Sequence, residues 1–236
     1  MQERYVITIT RQFGSLGRPI AREMAKMLDI DYYDRDIVEM AAKEMQQPVS
    51  VVSDIEESGN SLLSKMRFPL GTGERSMQDR LFQIQQKIIT DIVDRESCII
   101  VGRCSDYILR NYKNCINVYI YAPFEARYHN CVNSLNMNPK EAKRMIQEVD
   151  RARLQYHKRY AKYEPQDINY KDILINSSLL GVDGTAEYLV DISGSKQNVA
   201  MTMVNGQILY ENGQFFIGFD PKEIYAKANA IIGRMK

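Results

Sequence analysis

Apolar positions along the chain recur in two rhythms. Short runs with few charges, YVITI (5–9), SCIIVG (97–102), CINVYIYA (115–122) and KDILINSS (171–178), read as strands, and IDYYD (30–34) as a shorter one. Between them the period lengthens to that of a helix. RPIAREMAKML (18–28) gathers Ile20, Met24, Met27 and Leu28 on one face, and DRDIVEMAAKEM (34–45) repeats the pattern. In RLFQIQQKIITDIVDRE (80–96), Leu81, Ile84, Ile88 and Ile92 are in register. PFEARYHNCVNSL (123–135) opens with proline at a helix start, a long helical pattern covers 139–163, and GTAEYLVDI (184–192) closes the series. SGNSLLSKMRFPLGTGERS (58–76), with three glycines and a proline, reads as a mobile loop.

Strands alternating with helices predict an α/β fold, a parallel sheet covered by helices on both faces. Ligands of such folds bind beyond the carboxyl ends of the strands. Residues 10–18, 33–36, 102–106 and 122–127 are therefore where chemistry is expected. The composition shifts at ISGSKQN (192–198), a polar linker. Beyond it, AMTMVNGQILYENGQFFIG (200–218) reads as two or three short strands turned at Asn205-Gly206 and Asn212-Gly213. DPKEIYAKANAIIGRM (220–235) then starts a helix, with Asp220 as N-cap and Pro221 at its first position. The expected organisation is a body over 1–193 and a hairpin-plus-helix appendage over 194–236.

Charge narrows the possibilities. Thirty-one Lys+Arg against thirty Asp+Glu leave the chain near neutral, so non-specific nucleic-acid binding is not expected and any anion site must be a local cluster. Four cysteines without a C-x-x-C pair, and only two histidines, argue against a structural zinc site and for free thiols in a reducing cytoplasm. No apolar run reaches the ~18 residues of a membrane span, and MQERYVITIT carries no secretory pattern.

TITRQFGSLGRPIA (8–21) takes a strand through two glycines into a helix, the layout of a phosphate-cradling loop. Gly14, Ser15 and Gly17 fit a cradle. Gly17 and Arg18 stand where the lysine and hydroxyl of the full P-loop signature belong, and Pro19 removes one N–H. Arg11 and Arg18 bracket the loop, and guanidinium groups can bind phosphate oxygens in pairs. A plain strand–turn–helix joint explains the same glycines.

ITITRQFGSLGRPIAREMAKMLDIDYYDRDIV resembles the opening of the cytidylate kinase-like family of P-loop kinases. SCIIVGRCSDYIL (97–109) is similar to that family's I-I-V-G-R-C-x-D-Y-I-L segment, VDRARLQYHKRY (149–160) to its lid helix, and NYKDILINSSLLGV (169–182) to its final strand and turn. Together these segments span about residues 4–193. The resemblance implies a five-stranded parallel sheet, ATP with Mg2+ held mainly by nucleotide phosphates and water, and a nucleoside monophosphate (CMP-like) or related small acceptor. It differs in that Leu16 replaces a loop glycine, and the branch lacks the lysine of true cytidylate kinases. The implied activity is phosphoryl transfer; the alternative is a degenerate module that binds nucleotide without turnover.

The residue pattern and the resemblance together give the candidates. Arg11, Gly14, Ser15, Gly17, Arg18 and Arg159 would hold the donor, and Asp34, Arg35, Arg80, Arg103 and Asp106 the acceptor. Cys104 stands where true cytidylate kinases have an aspartate. The lid, about 139–168, begins with a stretch (139–163) of eight Lys/Arg and three acids. Within it Ile146, Val149, Tyr156, Tyr160 and Tyr163 follow helical spacing, and Arg153 shares their stripe. A buried arginine needs an anion, which a phosphate or Asp150 would supply. Arg18, Arg151 and Arg153 are the expected catalytic cations. No protein metal ligands are expected. The appendage resembles the end of metal-dependent amidohydrolases without their metal ligands, and its unpaired strand edges make homodimerisation through it an expectation.

Overall fold

The computed structural model describes residues 4–52, 72–198 and the strand segments 201–204, 207–211 and 214–215. The elements run β1 (Val6–Arg11), α1 (Gly17–Leu28), β2 (Asp31–Tyr33), α2 (Arg35–Met45), α3 (Thr72–Val93), β3 (Cys98–Val101), α4 (Ser105–Ile108), β4 (Cys115–Tyr121), α5 (Phe124–His129), α6 (Pro139–Tyr160), β5 (Ile173–Asn176) and α7 (Gly181–Asn198). Three short strands follow, β6 (Met201–Val204), β7 (Gln207–Glu211) and β8 (Gln214–Phe215). By compactness the chain divides into Met1–Leu189 and Val190–Lys236.

The first unit contains the predicted sheet: five strands, all parallel, in the order β2-β3-β1-β4-β5. Its centre is β1, covered on both faces, so that Val6, Ile7, Thr8 and Ile9 are all fully buried. This explains an apolar run without alternation. The one polar member, Thr8, donates its hydroxyl hydrogen to Asn117 Oδ1 on β4 at 2.7 Å. One face is closed by α2 and α3, whose Ile37, Ala41, Leu81, Ile89 and Ile92 join Val6, Cys98 and Ile100 in a single cluster. All four cysteines are free thiols, and Cys98, Cys104 and Cys131 are buried.

Three sequence expectations need correction. ISGSKQN (192–198), read as a polar linker, continues α7 to Asn198. Residues 72–76, read as the end of a loop, open α3 instead; the rest of that loop, 58–71, lies outside the described residues. The helix expected over 123–135 changes character after His129, where Asn130–Ser134 form a π turn. The second unit has the expected antiparallel pairings, β6 with β7 and β7 with β8, with an irregularity between Thr202 and Met203. The helix read at 220–235 lies outside the described residues. No helix among the described residues is long and apolar enough to cross a membrane.

Candidate active site

The carboxyl end of β1 delivers Arg11, and the next five residues turn into α1. The turn is held on every side by the protein. Gln12 N–H donates to Ile120 O at 3.1 Å, and Gln12 Oε1 accepts from Ala122 N–H. Ser15 Oγ faces inward to Gln12 O (2.9 Å) and Ile120 O (3.2 Å), while Ser177 Oγ donates to Ser15 O at 2.7 Å. Gly14 packs against α5: a Cβ there would lie 2.8 Å from Arg127 O. Ser15 and Gly14 thus shape the turn, and the serine hydroxyl is committed to main-chain carbonyls.

What the turn leaves open is the start of α1. Its N-cap, Leu16, is left-handed (φ 60°) and provides no side-chain cap. Among the described residues, no protein acceptor takes the amides of Leu16, Gly17 or Arg18. These are the orphan donors of a helix start, where anions bind.

Arg11 lies across this opening. Its stem sits on Gly17, where a Cβ would come within 2.8 Å of Arg11 Cβ, and its guanidinium rests on Gly102 after β3, where a Cβ would meet Nη1 at 2.2 Å. Gly102 also has φ +79°, so any larger residue there is strained as well as obstructed. Both glycines therefore make room for Arg11.

Three further guanidinium groups gather around Arg11. Asp34, at the N-cap of α2 and buried, pairs with Arg18 Nε and lies 3.6 Å from Arg11 Nη2. Arg18 Nη2 adds a bond at 3.4 Å, and Tyr32 Oη donates to Asp34 at 3.3 Å. From α6, Arg153 Nη1 donates to Arg11 O at 3.1 Å, and its guanidinium lies 6.0 Å from the Phe13 ring centre. Arg103 follows Gly102.

Burial first, and like charge after it, lowers the pKa values of these arginines. Burial, then the charge of Arg11, lowers the Arg103 pKa to about 10, with Asp34 opposing. Burial and Arg11 likewise bring Arg153 down to about 9 against the pull of Asp150 and Asp34. Arg11 is lowered by burial, partly offset by Asp34. Tyr32 is pushed up to about 12, by burial first and by Asp34 next. Partly buried cations facing one another cost free energy that an anion would recover.

Of the residues singled out in the sequence, Arg11, Arg18, Asp34, Arg103 and Arg153 come together here, beside Gly17. Others do not. Arg35, Arg80 and Arg151 are solvent-exposed and have no hydrogen bond or ion pair to the cluster among the described residues. Arg159 turns to α3, pairing with Asp79 at 2.8 Å and Gln78 at 3.1 Å. Asp106 lies in a different network altogether. It is almost fully buried, pairs with Lys171 Nζ, and accepts from Tyr163 Oη at 3.1 Å and His157 Nε2 at 3.0 Å. His157 Nδ1 meets Tyr163 O at 3.0 Å. Burial would raise the Asp106 pKa, but the His157 hydrogen bond and the Lys171 charge prevail and hold it well below the usual range. This network ties the end of α6 to the approach to β5. Nothing in the motif analysis pointed to it; the only signal is Lys171, a charge placed just before an apolar strand.

The loop has a further support that the sequence reading missed. Asp150 on α6 accepts from Phe13 N–H at 2.7 Å, while Arg127 on α5 pairs with Asp150 at 2.5 Å and donates to Phe13 O at 3.3 Å. Asn130 Nδ2 donates to Gly14 O at 2.9 Å.

The model of the cytidylate kinase-like family matches residues 6–179, which contain every residue of the arginine cluster. The chain belongs to the cytidylate kinase-like family. No curated protein matches it. Among solved structures, it is similar to an uncharacterized protein from Eubacterium ventriosum, at 22% identity and TM-score 0.62 over 81% of this chain and 99% of that one. It is also similar to TT1252 from Thermus thermophilus, at 11% identity and TM-score 0.52 over 84% and 100%. A shikimate kinase from Acinetobacter baumannii in complex with shikimate aligns at 11% identity and TM-score 0.47 over 83% and 96%. At these identities the first two likenesses speak to the fold alone. In that fold the strand order brings β1 and β3 side by side and so sets Arg11 against Gly102 and Arg103.

Proposed function

We propose that the protein is a phosphotransferase that moves the γ-phosphoryl group of ATP to a nucleoside monophosphate (CMP-like) or a related small acceptor. One observation carries this reading. Arg11 and Arg18 pair with the Asp34 carboxylate at the open start of α1, and Arg153, bonded to Arg11 O, and Arg103, next after Gly102, bring two more cations to the same place. Such a cluster is costly without an anion and complementary to a polyphosphate.

The residues fit the donor. Gly17 and Arg18 amides, with the Arg11 and Arg18 guanidinium groups, take the β- and γ-phosphate oxygens. They fit magnesium only as an ion carried on nucleotide oxygens and water. Among the described residues no three His, Cys, Asp or Glu side chains gather as a metal site, and Asp34 is already engaged. Magnesium bound with the nucleotide supplies charge neutralisation at the phosphates. Arg153, carried by α6, spreads over the charge that develops on the moving phosphoryl group. Arg103, at the end of β3, faces the acceptor, with Arg35 recruited from the start of α2. In-line transfer asks for little else from the protein.

The alternative, a nucleotide-binding module without turnover, draws on a different observation. Neither lysine nor hydroxyl stands at the Gly17-Arg18 positions, and Ser15 Oγ points into the fold. ADP release from ATP–Mg2+ across a panel of nucleoside monophosphates and small phosphate acceptors decides between them. Turnover with at least one acceptor, abolished in both Arg18→Ala and Arg153→Ala, supports the transferase. Tight ATP binding without turnover on any acceptor refutes it. The 194–236 appendage is proposed to hold a homodimer; an unchanged oligomeric state after truncation at Ser193 refutes that.

A further inference from the structure

Resting on the donor site just proposed, we infer that Asp150 is a positioning residue for the phosphate-binding arginines, with Arg127 as its support. The geometry is a clamp on the two main-chain polar groups of one residue, Phe13. Asp150 takes the N–H of Phe13 at 2.7 Å and Arg127 reaches its carbonyl at 3.3 Å. The two clamp residues are paired with each other at 2.5 Å, and Arg127 is buried. Asn130 fixes the next carbonyl, that of Gly14.

The clamp joins two elements that must agree. Asp150 and Arg153 are three residues apart on α6, hence on the same face of the helix. Asp150 holds the loop two residues after Arg11, and Arg153 donates to Arg11 O itself at 3.1 Å. Fixing Asp150 on Phe13 therefore fixes the height of α6 above the loop, and with it the place of the Arg153 guanidinium among the other cations. Phe13 between them packs against α6 with Ile146 and Ala142.

This role has a sign opposite to plain electrostatics. Asp150 is an anion near a site for anions, and its charge pulls on Arg153. If charge alone mattered, removing it would tighten polyphosphate binding. If Asp150 positions Arg153, removing it weakens binding, and the loss overlaps with that of Arg153 itself.

The test measures the affinity of the full chain for ATP and for inorganic tripolyphosphate by titration calorimetry. The proteins are wild type, Asp150→Asn, Asp150→Ala, Arg153→Ala and the double variant Asp150→Ala/Arg153→Ala. Asp150→Ala is expected to bind about ten-fold more weakly, the size of one lost charge-assisted hydrogen bond. Asp150→Asn, which keeps an acceptor for Phe13 N–H but loses the ion pair, should lose only two- to three-fold. The double variant should bind no more weakly than Arg153→Ala alone, because the two losses are one. Unchanged or tighter binding in Asp150→Ala overturns the inference, as do fully additive losses, and both leave the donor site standing. If Asp150→Ala does not fold, Asp150→Asn decides: binding equal to or tighter than wild type overturns the inference. A wild type that binds neither ligand overturns the donor site and this inference together.

Discussion

Removing a cation from a crowded site should make the empty protein more stable while making it worse at its task. Arg153 is the clearest case. Burial and the neighbouring Arg11 bring its pKa from 12.5 down to about 9. At ~1.4 kcal/mol per pH unit, the difference of roughly 3.5 corresponds to an upper bound of about 5 kcal/mol for keeping the charge in place. The residue as a whole is partly exposed, and solvent screening reduces that to about 2–3 kcal/mol. Its hydrogen bond to Arg11 O returns about 1 kcal/mol. Arg153→Met, which keeps most of the apolar stem, is therefore expected to raise the stability of the ligand-free protein by about 1–2 kcal/mol. That is on the order of 2–8 °C in Tm for a chain of this size. Thermal unfolding followed by circular dichroism, with and without millimolar ATP, measures both halves. Wild type should gain several degrees with ATP and Arg153→Met little or nothing. A ligand-free variant that melts more than about 2 °C below wild type would show that the guanidinium is a net structural asset, and the frustrated-charge argument would fall.

Asp34→Asn should act in the opposite direction, lowering Tm by about 5 °C or more because the arginines lose their shared carboxylate, with phosphate or sulfate restoring part of it; no loss would mean that Asp34 does not hold them. Gly102→Ala is expected to cost about 2 kcal/mol by chemical denaturation and to weaken ATP binding, since the new methyl displaces Arg11; a neutral outcome would contradict the close approach. Asp106→Asn should cost about 3–5 kcal/mol by leaving Lys171 buried without its carboxylate. The pH dependence follows from the same group. Its folded pKa is held below the unfolded value of about 4, so its contribution is complete above that value and fades as the pH falls toward the folded one. The stability gap between wild type and Asp106→Asn should therefore narrow from pH ~5 downward; a constant gap would refute the assignment.

The parts of this fold legible in the sequence are those written in local periodicity. The uninterrupted apolar run of β1 and the helical spacing of α1 and α2 need no distant partner to be recognised. Arg11, Arg18 and Arg103 were reachable because they sit beside strand ends, where topology alone predicts ligands. Boundaries set by tertiary packing were not. Glycines at 71 and 73 pointed to a loop, yet α3 starts at Thr72, since the packing of Leu81, Ile89 and Ile92 sustains a longer helix than propensity favours. Long-range pairing was hidden for the same reason. Asp150 was weighed as a partner of Arg153, but its hydrogen bond goes to Phe13, 137 positions away, and its ion pair to Arg127. Asp106 looked like an acceptor ligand by its place after β3, and only the folded chain brings Lys171, His157 and Tyr163 around it.

The central claim is that the cluster of Arg11, Arg18, Arg103 and Arg153 is a seat for donor phosphates, and a crystal structure with a non-hydrolysable ATP analogue tests it most directly. The account predicts β- and γ-phosphate oxygens at about 3 Å from the guanidinium groups of Arg11, Arg18 and Arg153 and from the amides of Gly17 and Arg18. A nucleotide bound elsewhere, with those arginines still placed as in the free protein, would contradict it.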